Sequence, residues 1–374
     1  MTAAPDTSLT SRTDLPIVHV VGARPNFMKA GPVIRGLDAL GAAQLLVHTG
    51  QHYDRGMSEV FFEELDLPEP ELNLEVGSGT QARQTAALLE ALEDALTKLE
   101  PRLVVVYGDV NSTLAAALVT SKLGIPLAHV EAGLRSFDRS MPEEINRVVT
   151  DTLADLLFVT SPEGVENLAR EGVPGSRIHF VGNPMIDTLL SKLGAFDVAA
   201  ARAAHGLAGA YAVATLHRPG NVDDPAAAAA LMAMLRDVAG QLPVVLPLHP
   251  RGRERLAEAG LFDVSGVEVT EPLGYVAFVS LVRGAAVVIT DSGGIQEETT
   301  ILRIPCLTVR PNTERPITIT QGTNRLVRPD EVPAAVATIL AGDGPSRSLA
   351  PPALWDGHAG ARIARILDDS RAPA

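Results

Sequence analysis

Short runs of β-branched residues alternate with longer segments of helical spacing from Ile17 onward. This alternation is typical of repeated β-α units, in which parallel strands form a sheet and helices cover its faces. It therefore predicts an α/β fold with parallel sheets. The predicted strands are residues 17–21, 44–48, 103–107, 127–130, 156–160 and 178–181, then 211–216, 244–248, 267–269, 287–290 and 306–309.

The length of 374 residues exceeds the usual size of one hydrophobic core, so two domains are expected. The two series of strands predict two Rossmann-like domains, whose ligand-binding edges would face each other across a cleft. We place a polar tail at residues 1–16, an N-terminal domain at 17–188 and a C-terminal nucleotide-binding domain at 189–358. Residues 359–374 are expected to form a terminal helix that packs back on the N-terminal domain.

Composition excludes several classes of protein. A formal net charge of −14 argues against an electrostatic nucleic-acid binder. Cys306 is the single cysteine, so no internal disulfide can form, and no spacing of His, Cys and carboxylate residues indicates a metal site. No apolar run is long enough to span a bilayer, and the first residues lack the apolar centre of a secretory signal. We expect a cytoplasmic protein that binds neither a membrane nor nucleic acid.

Polar residues directly follow many of the predicted strands. Because the carboxyl ends of parallel strands open onto one edge of the sheet, where ligands bind, these residues are functional candidates. Turn and capping preferences explain any one of them, but their number favours a functional edge. The segments are 22–24, 50–52, 108–109, 131–133 and 182–183 in the first series, and 217–218, 249–251, 271 and 291–294 in the second.

Two of these segments suit a phosphate-bearing ligand. Arg24 and Lys29 lie at a predicted helix start, where the backbone dipole attracts anions; an exposed pair of cations is the alternative. Ser292, Gly293 and Gly294 precede a second predicted helix, and their three amides would cradle a diphosphate. Neither segment has the glycine pattern of a dinucleotide fold or of a P-loop.

Two carboxylates follow these glycines in the same helix. Glu298 lies about one turn farther on, where it could accept hydrogen bonds from a ribose diol. The alternative is that Glu297 and Glu298 both complement the helix dipole. We assign the ribose contact to Glu298 and the dipole to Glu297.

Acid-base chemistry has four candidates at strand ends or in loops, namely Asp109, Glu131, Glu143 and His217. Asp109 is alternatively a helix cap, and Glu143 is alternatively a first-turn carboxylate that favours the helix dipole. His217, which is followed by Arg218, is less easily explained by local structure. A serine nucleophile is not supported, because the chain lacks the Gly-x-Ser-x-Gly elbow.

Six segments carry a more specific signal: 22–25 with Lys29, 129–135 (HVEAGLR), 142–147, 217–218, 291–298 (DSGGIQEE) and 313–316. Through them the chain resembles the bacterial non-hydrolysing UDP-N-acetylglucosamine 2-epimerases, from about residue 17 to beyond residue 326. The resemblance implies a fold of the glycosyltransferase-B type and a homodimer. It also implies interconversion of the UDP-sugars UDP-GlcNAc and UDP-ManNAc, as a step of polysaccharide biosynthesis.

The implied reaction must labilise a hydrogen at C2 that no neighbouring carbonyl acidifies. Transient oxidation would need a nicotinamide, whose binding fingerprint the sequence lacks. The mechanism implied by the resemblance instead expels UDP from C1, which acidifies the C2 hydrogen and leaves 2-acetamidoglucal. Protonation from the opposite face and re-addition of UDP then invert C2. No cofactor is expected.

The resemblance assigns acid-base and charge-stabilising roles to Asp109, Glu131 and Glu143, with His217 near the leaving diphosphate. It also implies a larger set of substrate contacts. These are Arg24, Lys29, Arg135, Arg147, Arg218, Phe278, Ser292, Gly293, Gly294, Glu298 and Arg315.

Further roles are implied for particular members of the family's site. Arg135 and Arg147 are expected to orient the catalytic carboxylates, and Phe278 is expected to flank the uracil. Gln51 and His249 are candidates for an allosteric site that would hold a second UDP-GlcNAc.

Three rival functions remain compatible with the sequence. A hydrolysing epimerase would use the same elimination but release free ManNAc and UDP. A glycosyltransferase of the same fold would need an acceptor. A non-catalytic nucleotide-sugar sensor would keep the nucleotide contacts but would not need Asp109, Glu131 and His217 together, which ranks catalysis first.

Overall fold

The computed structural model describes residues 15–50, 62, 64–248, 252–345 and 350–370. It divides into two compact units, of which the first comprises Met1–Pro184 with Gly357–Ala374 and the second comprises Met185–Asp356. Each unit is built on one parallel sheet, in an order typical of Rossmann-like domains. The predicted α/β class with two such domains is confirmed.

The first unit contains a sheet of seven strands within the described residues, all of them parallel to their neighbours. The strands are β1 (Ile17–Val21), β2 (Gln44–His48), β3 (Leu72–Asn73), β4 (Leu103–Tyr107), β5 (Leu127–Ala132), β6 (Leu156–Val159) and β7 (Ile178–Phe180). Their order is β3-β2-β1-β4-β5-β6-β7. Every residue of β1 and β4 is buried, as expected for central parallel strands covered on both faces.

The second unit repeats this arrangement with six parallel strands in the part of the chain that is described. They are β8 (Ala212–Thr215), β9 (Val244–Pro247), β10 (Val267–Thr270), β11 (Val287–Thr290), β12 (Cys306–Val309) and β13 (Asn324–Val327). Their order is β10-β9-β8-β11-β12-β13.

Helices connect the strands in both units. Those of the first half are α1 (Arg24–Asp38), α2 (Gln81–Leu99), α3 (Asn111–Leu123), α4 (Pro142–Leu153), α5 (Pro162–Arg170), α6 (Pro184–Ser191) and α7 (Val198–Ala204). Those of the second half are α8 (Pro219–Val222), α9 (Pro225–Ala239), α10 (Arg253–Glu258), α11 (Tyr275–Arg283), α12 (Gly293–Leu302), α13 (Ile317–Thr320), α14 (Val332–Leu340) and α15 (Ala359–Asp369). Short 3-10 turns lie at Gly175–Arg177, Leu193–Ala195, Leu261–Asp263 and Pro329–Glu331.

Local sequence explains where several helices begin and which face they bury. Proline opens α4, α5 and α9, because its fixed φ suits the first helical turn, where its missing N–H costs nothing. In α2, Leu88, Leu92 and Leu96 recur at helical spacing and are fully buried against the first sheet. The terminal helix α15 packs on α1, within the first unit.

All eleven predicted strands are present, although some of their ends shift by one or two residues. The edge strands β3 and β13 were not predicted. One prediction is corrected: β5 continues to Ala132, so Glu131 lies inside the strand and not after it. Over the described residues, no helix has the length and apolarity needed to cross a membrane.

Candidate active site

Each sheet has the same topological switch point, where the chain turns in opposite directions from two adjacent strands. In the first unit β1 lies beside β4, and in the second unit β8 lies beside β11. Ligands of open parallel sheets bind in the crevice at such a point, beyond the carboxyl ends of the strands. Several of the candidate residues follow the strands at these two points, namely Asp109, His217, Arg218 and Ser292.

A buried ion pair joins Lys29 of α1 to Glu131 of β5 in the first unit, and their side chains are only 4% and 2% exposed. Gly108, which follows β4, lies directly against this pair. A β-carbon at Gly108 would lie 3.0 Å from Lys29 Nζ and 3.1 Å from Glu131 Oε2. Glycine is therefore the residue that lets the β4 loop approach both charged groups.

The backbone of Glu131 adopts a φ of 78°, which is uncommon for a residue with a side chain. The strain coincides with a register shift between Val130 and Ala132 in the pairing of β5 with β6. Such a conformation costs on the order of 1–3 kcal/mol and persists where the surrounding structure fixes it, often at functional sites. Here it turns the Glu131 carboxylate toward Lys29.

Asn26 fixes the loop that carries Arg24. Its Oδ1 accepts hydrogen bonds from the amides of Gly22 and Ala23 at 3.0 and 3.1 Å. Its Nδ2 donates to the Tyr107 carbonyl at 2.7 Å and so ties the β1 loop to the end of β4. Arg24 itself is half-buried, and burial lowers the pKa of its guanidinium against an opposing effect of Glu64.

Two residues of α4, Arg147 and Asn146, donate hydrogen bonds that fix Asp109. Arg147 Nη2 and Nε donate to Asp109 Oδ2 at 2.7 and 3.1 Å, and Asn146 Nδ2 donates to the Asp109 carbonyl at 2.8 Å. Arg147 is 2% exposed and also pairs with Glu144, whereas the Asp109 side chain keeps 23% of its surface exposed. Asp109 therefore has a fixed orientation and an accessible carboxylate.

The two adjacent carboxylates at the start of α4 differ in their surroundings. Glu144 accepts hydrogen bonds from the Ser136 amide at 2.9 Å, from the Ser136 hydroxyl at 3.0 Å and from the Phe137 amide at 2.9 Å. Glu143 is half-buried, and among the described residues no hydrogen bond or ion pair engages its carboxylate. Of the two carboxylates, Glu144 is therefore the one that fixes the loop at residues 136–137 against the start of α4.

Arg135 pairs with two carboxylates that were not among the candidates, and its expected role at the substrate stays a prediction. Its Nε and Nη2 donate to Glu171 at 2.8 and 2.7 Å, and its Nη1 donates to the Leu134 carbonyl and lies 2.7 Å from Asp151 Oδ2. Burial alone would lower the pKa of Arg135, but the Glu171 and Asp151 carboxylates outweigh burial and raise it. With 4% of its surface exposed, Arg135 orients these two carboxylates and not Glu131 or the other catalytic candidates.

In the second unit a fully buried carboxylate, Asp291, organises the switch point. It accepts hydrogen bonds from the amides of His217 and Arg218 at 3.0 and 2.9 Å and from Asn221 Nδ2 at 3.0 Å. Asp291 Oδ1 also lies 3.2 Å from His217 Nδ1. Asp291 thus ties the loop after β8 to the end of β11. Sequence reasoning treated it only as part of a glycine-rich loop.

Helix α12 begins at this point with two glycines, and its N-terminal N–H groups make an anion-binding position. The Ser292 amide donates to Thr290 Oγ1 at 3.0 Å. The diphosphate contacts expected of Ser292, Gly293 and Gly294 stay a prediction. A β-carbon at Gly293 would overlap the Arg315 guanidinium, so this arginine lies directly over the helix start.

Three arginines and two glutamates surround the start of α12. Arg310 Nη2 pairs with Glu314 Oε2 at 2.7 Å, and Arg315 pairs with both Glu314 and Glu297, the latter at 3.0 Å. Arg218 Nη2 lies 3.9 Å from Glu314 Oε1. Glu297 therefore orients Arg315. From the sequence, Glu297 was expected only to complement the helix dipole.

Two of the nitrogen-bearing side chains at this helix start are more accessible than the others. His217 and Arg218 keep 36% and 26% of their side-chain surface, whereas Arg310 and Arg315 are nearly covered. The edge of the second sheet thus offers helix N–H groups and two accessible polar side chains to an anion.

The family model for UDP-N-acetylglucosamine 2-epimerase matches residues 38–368, which is most of the chain. The chain belongs to the UDP-N-acetylglucosamine 2-epimerase family.

Archaeal and bacterial members of this epimerase family are similar over most of their length. The UDP-N-acetylglucosamine 2-epimerase of Methanocaldococcus jannaschii is 41% identical over 360 residues, covering 93% of this chain and 97% of that protein. The UDP-2,3-diacetamido-2,3-dideoxy-D-glucuronate 2-epimerase of Pseudomonas aeruginosa is 42% identical over 317 residues, covering 83% and 88%.

A solved structure of a family member bound to nucleotides supports the same fold. The Methanocaldococcus jannaschii UDP-GlcNAc 2-epimerase in complex with UDP-GlcNAc and UDP has a TM-score of 0.87 and 40% identity, covering 94% of this chain and 99% of that one. This likeness agrees with the two Rossmann-like units and the glycosyltransferase-B type of fold.

In this epimerase-family chain, Glu298 lies deeper than its predicted role suggested. Its side chain is 5% exposed and accepts a hydrogen bond from the Tyr275 hydroxyl at 2.9 Å. Burial, aided by Glu297, raises the pKa of Glu298 to about 7, although the Tyr275 hydrogen bond acts in the opposite direction. Phe278, on the same helix as Tyr275, packs partly against the core of the second unit.

Two candidates lie outside the described residues, namely Gln51 and His249. Their proposed part in an allosteric site stays a prediction. In the described ranges no group of three or more His, Cys, Asp or Glu residues has the arrangement of a metal site.

Proposed function

We propose that this chain interconverts UDP-GlcNAc and UDP-ManNAc by inverting C2, without net hydrolysis. The observation that carries the proposal is the placement of two carboxylates around Gly108. Glu131 lies against this glycine beside Lys29, and Asp109 follows it in the chain, held by Arg147. Two carboxylates in fixed and separate orientations suit a reaction that removes a proton from one face of a carbon and returns it to the other.

The proton at C2 becomes acidic only after the bond from C1 to the UDP oxygen begins to break. Electrons of the C–O bond leave with UDP, the developing positive charge at C1 acidifies C2, and loss of the proton gives 2-acetamidoglucal. Protonation at the opposite face of C2 and return of UDP to C1 complete the inversion. Atoms and electrons balance without an oxidant, so the scheme requires no cofactor.

The departing UDP would bind to the start of α12. The N–H groups of Gly293 and Gly294, with His217 and Arg218, face an anion whose charge grows as the C–O bond breaks. Because these donors interact more strongly with the expelled diphosphate than with the intact sugar ester, they lower the barrier as well as bind substrate. Glu298 would contact the ribose. In the first unit, Arg24 would contact the nucleotide or its phosphate, and Arg147 would orient the Asp109 carboxylate.

A second candidate substrate follows from the comparison with Pseudomonas aeruginosa. That relative is named for UDP-2,3-diacetamido-2,3-dideoxy-D-glucuronate and is about as similar to this chain as the archaeal epimerase named for UDP-N-acetylglucosamine. The elimination is the same for both sugars, because it involves only C1 and C2. A homodimer and a cytoplasmic location stay expectations that rest on the family resemblance.

The test is incubation of the purified protein in heavy water with each UDP-sugar in turn, without added nicotinamide. We expect deuterium at C2 of both UDP-GlcNAc and UDP-ManNAc, starting from either one. Accumulation of free ManNAc would establish the hydrolysing reaction instead. Exchange confined to the diacetamido-glucuronate sugar would transfer the assignment to that substrate, and absence of exchange with both would refute epimerisation.

A further inference from the structure

A fully buried histidine, His129, lies behind the carboxylates of the proposed site. It is in strand β5, and its side chain is 0% exposed. Its Nδ1 lies 2.6 Å from Asp151 Oδ1, and its Nε2 lies 2.8 Å from the Gly108 carbonyl oxygen. Both ring nitrogens are therefore at hydrogen-bonding distance from an oxygen.

Both of these oxygens can only accept. A backbone carbonyl has no proton, so His129 Nε2 must carry one. The other contacts of Asp151 are those of an ionised carboxylate, because donors surround it. Its second oxygen already accepts from the Gly133 amide at 3.0 Å and lies 2.7 Å from Arg135 Nη1. Nδ1 must therefore carry a proton as well.

Two carboxylates and one arginine form the charged cluster beside the ring. Asp151 comes from α4, Arg135 from the loop after β5 and Glu171 from the end of α5. Asp151 and Arg135 are buried, whereas the Glu171 side chain is 39% exposed. An imidazolium at His129 therefore adds one buried cation that has a direct carboxylate partner in Asp151, which is how buried charges are tolerated.

The same sheet holds a second buried histidine with the opposite character. His19 of β1 is 0% exposed; its Nδ1 lies 2.7 Å from the Tyr107 hydroxyl and its Nε2 lies 2.9 Å from Gln44 Oε1. A hydroxyl can donate to Nδ1, so a neutral ring satisfies both contacts. Burial accordingly lowers the pKa of His19 to about 4. Burial in this sheet therefore does not by itself charge a histidine; the chemistry of the two neighbouring atoms decides.

His129 acts on the site through Gly108. The Gly108 amide donates to the Val130 carbonyl at 3.0 Å, and its carbonyl accepts from His129, so both ends of this residue are fixed by β5. Gly108 in turn lies against Lys29 and Glu131, and the next residue is Asp109. A shift of the Gly108 peptide would move Asp109 and open a gap beneath the ion pair.

We propose that His129 is a positioning residue, held as the imidazolium between Asp151 and the Gly108 carbonyl, and that this charged hydrogen bond sets the placement of Asp109 and of the Lys29–Glu131 pair. The inference about turnover rests on the proposed function, whereas the inference about the protonation state does not.

The protonation state is tested by nitrogen-15 NMR of the full-length protein labelled at histidine. At neutral pH we expect the His129 ring to carry directly bonded protons on both nitrogens, and the His19 ring on Nε2 alone. The His129 signals are assigned by their absence from the spectrum of His129→Gln, and the His19 signals by their absence from that of His19→Gln. An unprotonated nitrogen at His129 would overturn the proposal, whatever the protein's activity.

Two variants test the consequence. Asp151→Asn offers an amide donor to Nδ1, so His129 should become neutral with its proton on Nε2. His129→Gln removes the charge. Because small displacements of reacting groups cost about a hundredfold in rate, we expect kcat to fall by about that factor in both variants. The Kd for UDP should change by much less, since the expected diphosphate and ribose contacts at α12 lie in the second unit.

His19→Gln is the matched control, because it also removes a buried imidazole from the same sheet. We expect it to lower thermal stability while leaving kcat unchanged. Equal losses of kcat in His19→Gln and His129→Gln would reduce His129 to a packing residue and overturn the positioning role. Should the His129 or Asp151 variants fail to fold, the NMR signature of the unmodified protein still decides the charge.

Discussion

The two units share one topology but differ in how their switch points hold charge. In the first unit, lysine and arginine side chains pair with carboxylates from neighbouring elements, as in Lys29–Glu131 and Arg147–Asp109. In the second unit, backbone N–H groups at a helix start are surrounded by several arginines. The same fold thus presents carboxylates paired with cations at one edge and helix N–H groups beside arginines at the other. The loops, and not the sheet order, make this difference.

If the first unit carries the acid-base chemistry, the largest effect on C2 exchange is expected from substitution of Glu131. Glu131→Gln keeps the shape of the side chain but removes its basicity, so we expect deuterium exchange at C2 to fall by a factor of about 10²–10⁴. Binding of UDP should persist, since the expected diphosphate and ribose contacts at α12 belong to the second unit. Exchange is measured by NMR or mass spectrometry in heavy water. Glu166→Gln, at an exposed position of α5, is the control.

Exchange that survives in Glu131→Gln would remove this carboxylate from the chemistry. Loss of UDP binding in the same variant would contradict the assignment of acid-base chemistry to the first unit and of diphosphate binding to the second.

A smaller effect is expected at Gly293. Its replacement by alanine places a β-carbon against Arg315 and Glu314, and such overpacking costs about 1–3 kcal/mol. Because the same displacement disturbs the helix start that would bind the diphosphate, we expect a cost of this size in binding as well, which is a loss of about tenfold to a hundredfold in affinity for UDP. Calorimetric titration with UDP measures it. Gly209→Ala is the matched control, because nothing lies within 4 Å of a β-carbon there. Equal affinities of the two variants would contradict the placement of the diphosphate.

Glu298 provides a pH-dependent test of the same unit. Folding raises its pKa from 4.5 to about 7, so the folded state favours the protonated carboxyl. Its contribution to stability is complete below pH 4.5 and is lost as the pH rises through 7. A ribose diol donates hydrogen bonds and therefore prefers the ionised form, so nucleoside affinity should change in the opposite sense.

We expect uridine to bind up to about tenfold more tightly at pH 8 than at pH 6, since one pKa unit corresponds to a tenfold change in ionised fraction. Uridine is the appropriate probe because it carries no phosphate that would titrate in this range. Glu298→Gln should abolish the dependence. A pH-independent affinity in the unmodified protein would remove Glu298 from ribose recognition.

Local patterns predicted most of the fold because central parallel strands are continuous apolar runs that can be recognised without knowing their neighbours. Two of the four edge strands in the described sheets were not predicted: β3 has two residues, and β13 reads Asn-Arg-Leu-Val, with little apolar character. The site was harder for a physical reason. Lys29 and Glu131 are 102 residues apart, so their pairing depends on the strand order and on a backbone bulge that no local pattern specifies.

Contacts within the protein at the candidate residues were also not predictable from the sequence. The hydroxyl of Thr290 accepts a hydrogen bond from the Ser292 amide. Asp151 and Glu171 pair with the guanidinium of Arg135, although Glu171 is 36 residues away in the sequence. Such pairings depend on how the helices pack beside the sheet, which no local pattern specifies.

The smallest expected effect sharpens the role of Tyr275. Its hydroxyl donates to Glu298 Oε1 at 2.9 Å and so stabilises the ionised carboxylate. Tyr275→Phe removes this donor and should raise the pKa of Glu298 further, which moves the uridine-affinity step to higher pH without changing the affinity well above it. Tyr211→Phe is the control, because the Tyr211 hydroxyl donates to the Leu281 carbonyl and not to a carboxylate. A step that stays in place in Tyr275→Phe would mean that burial alone sets the proton affinity of Glu298, and the second unit would then hold its ribose contact without a tuned hydrogen bond.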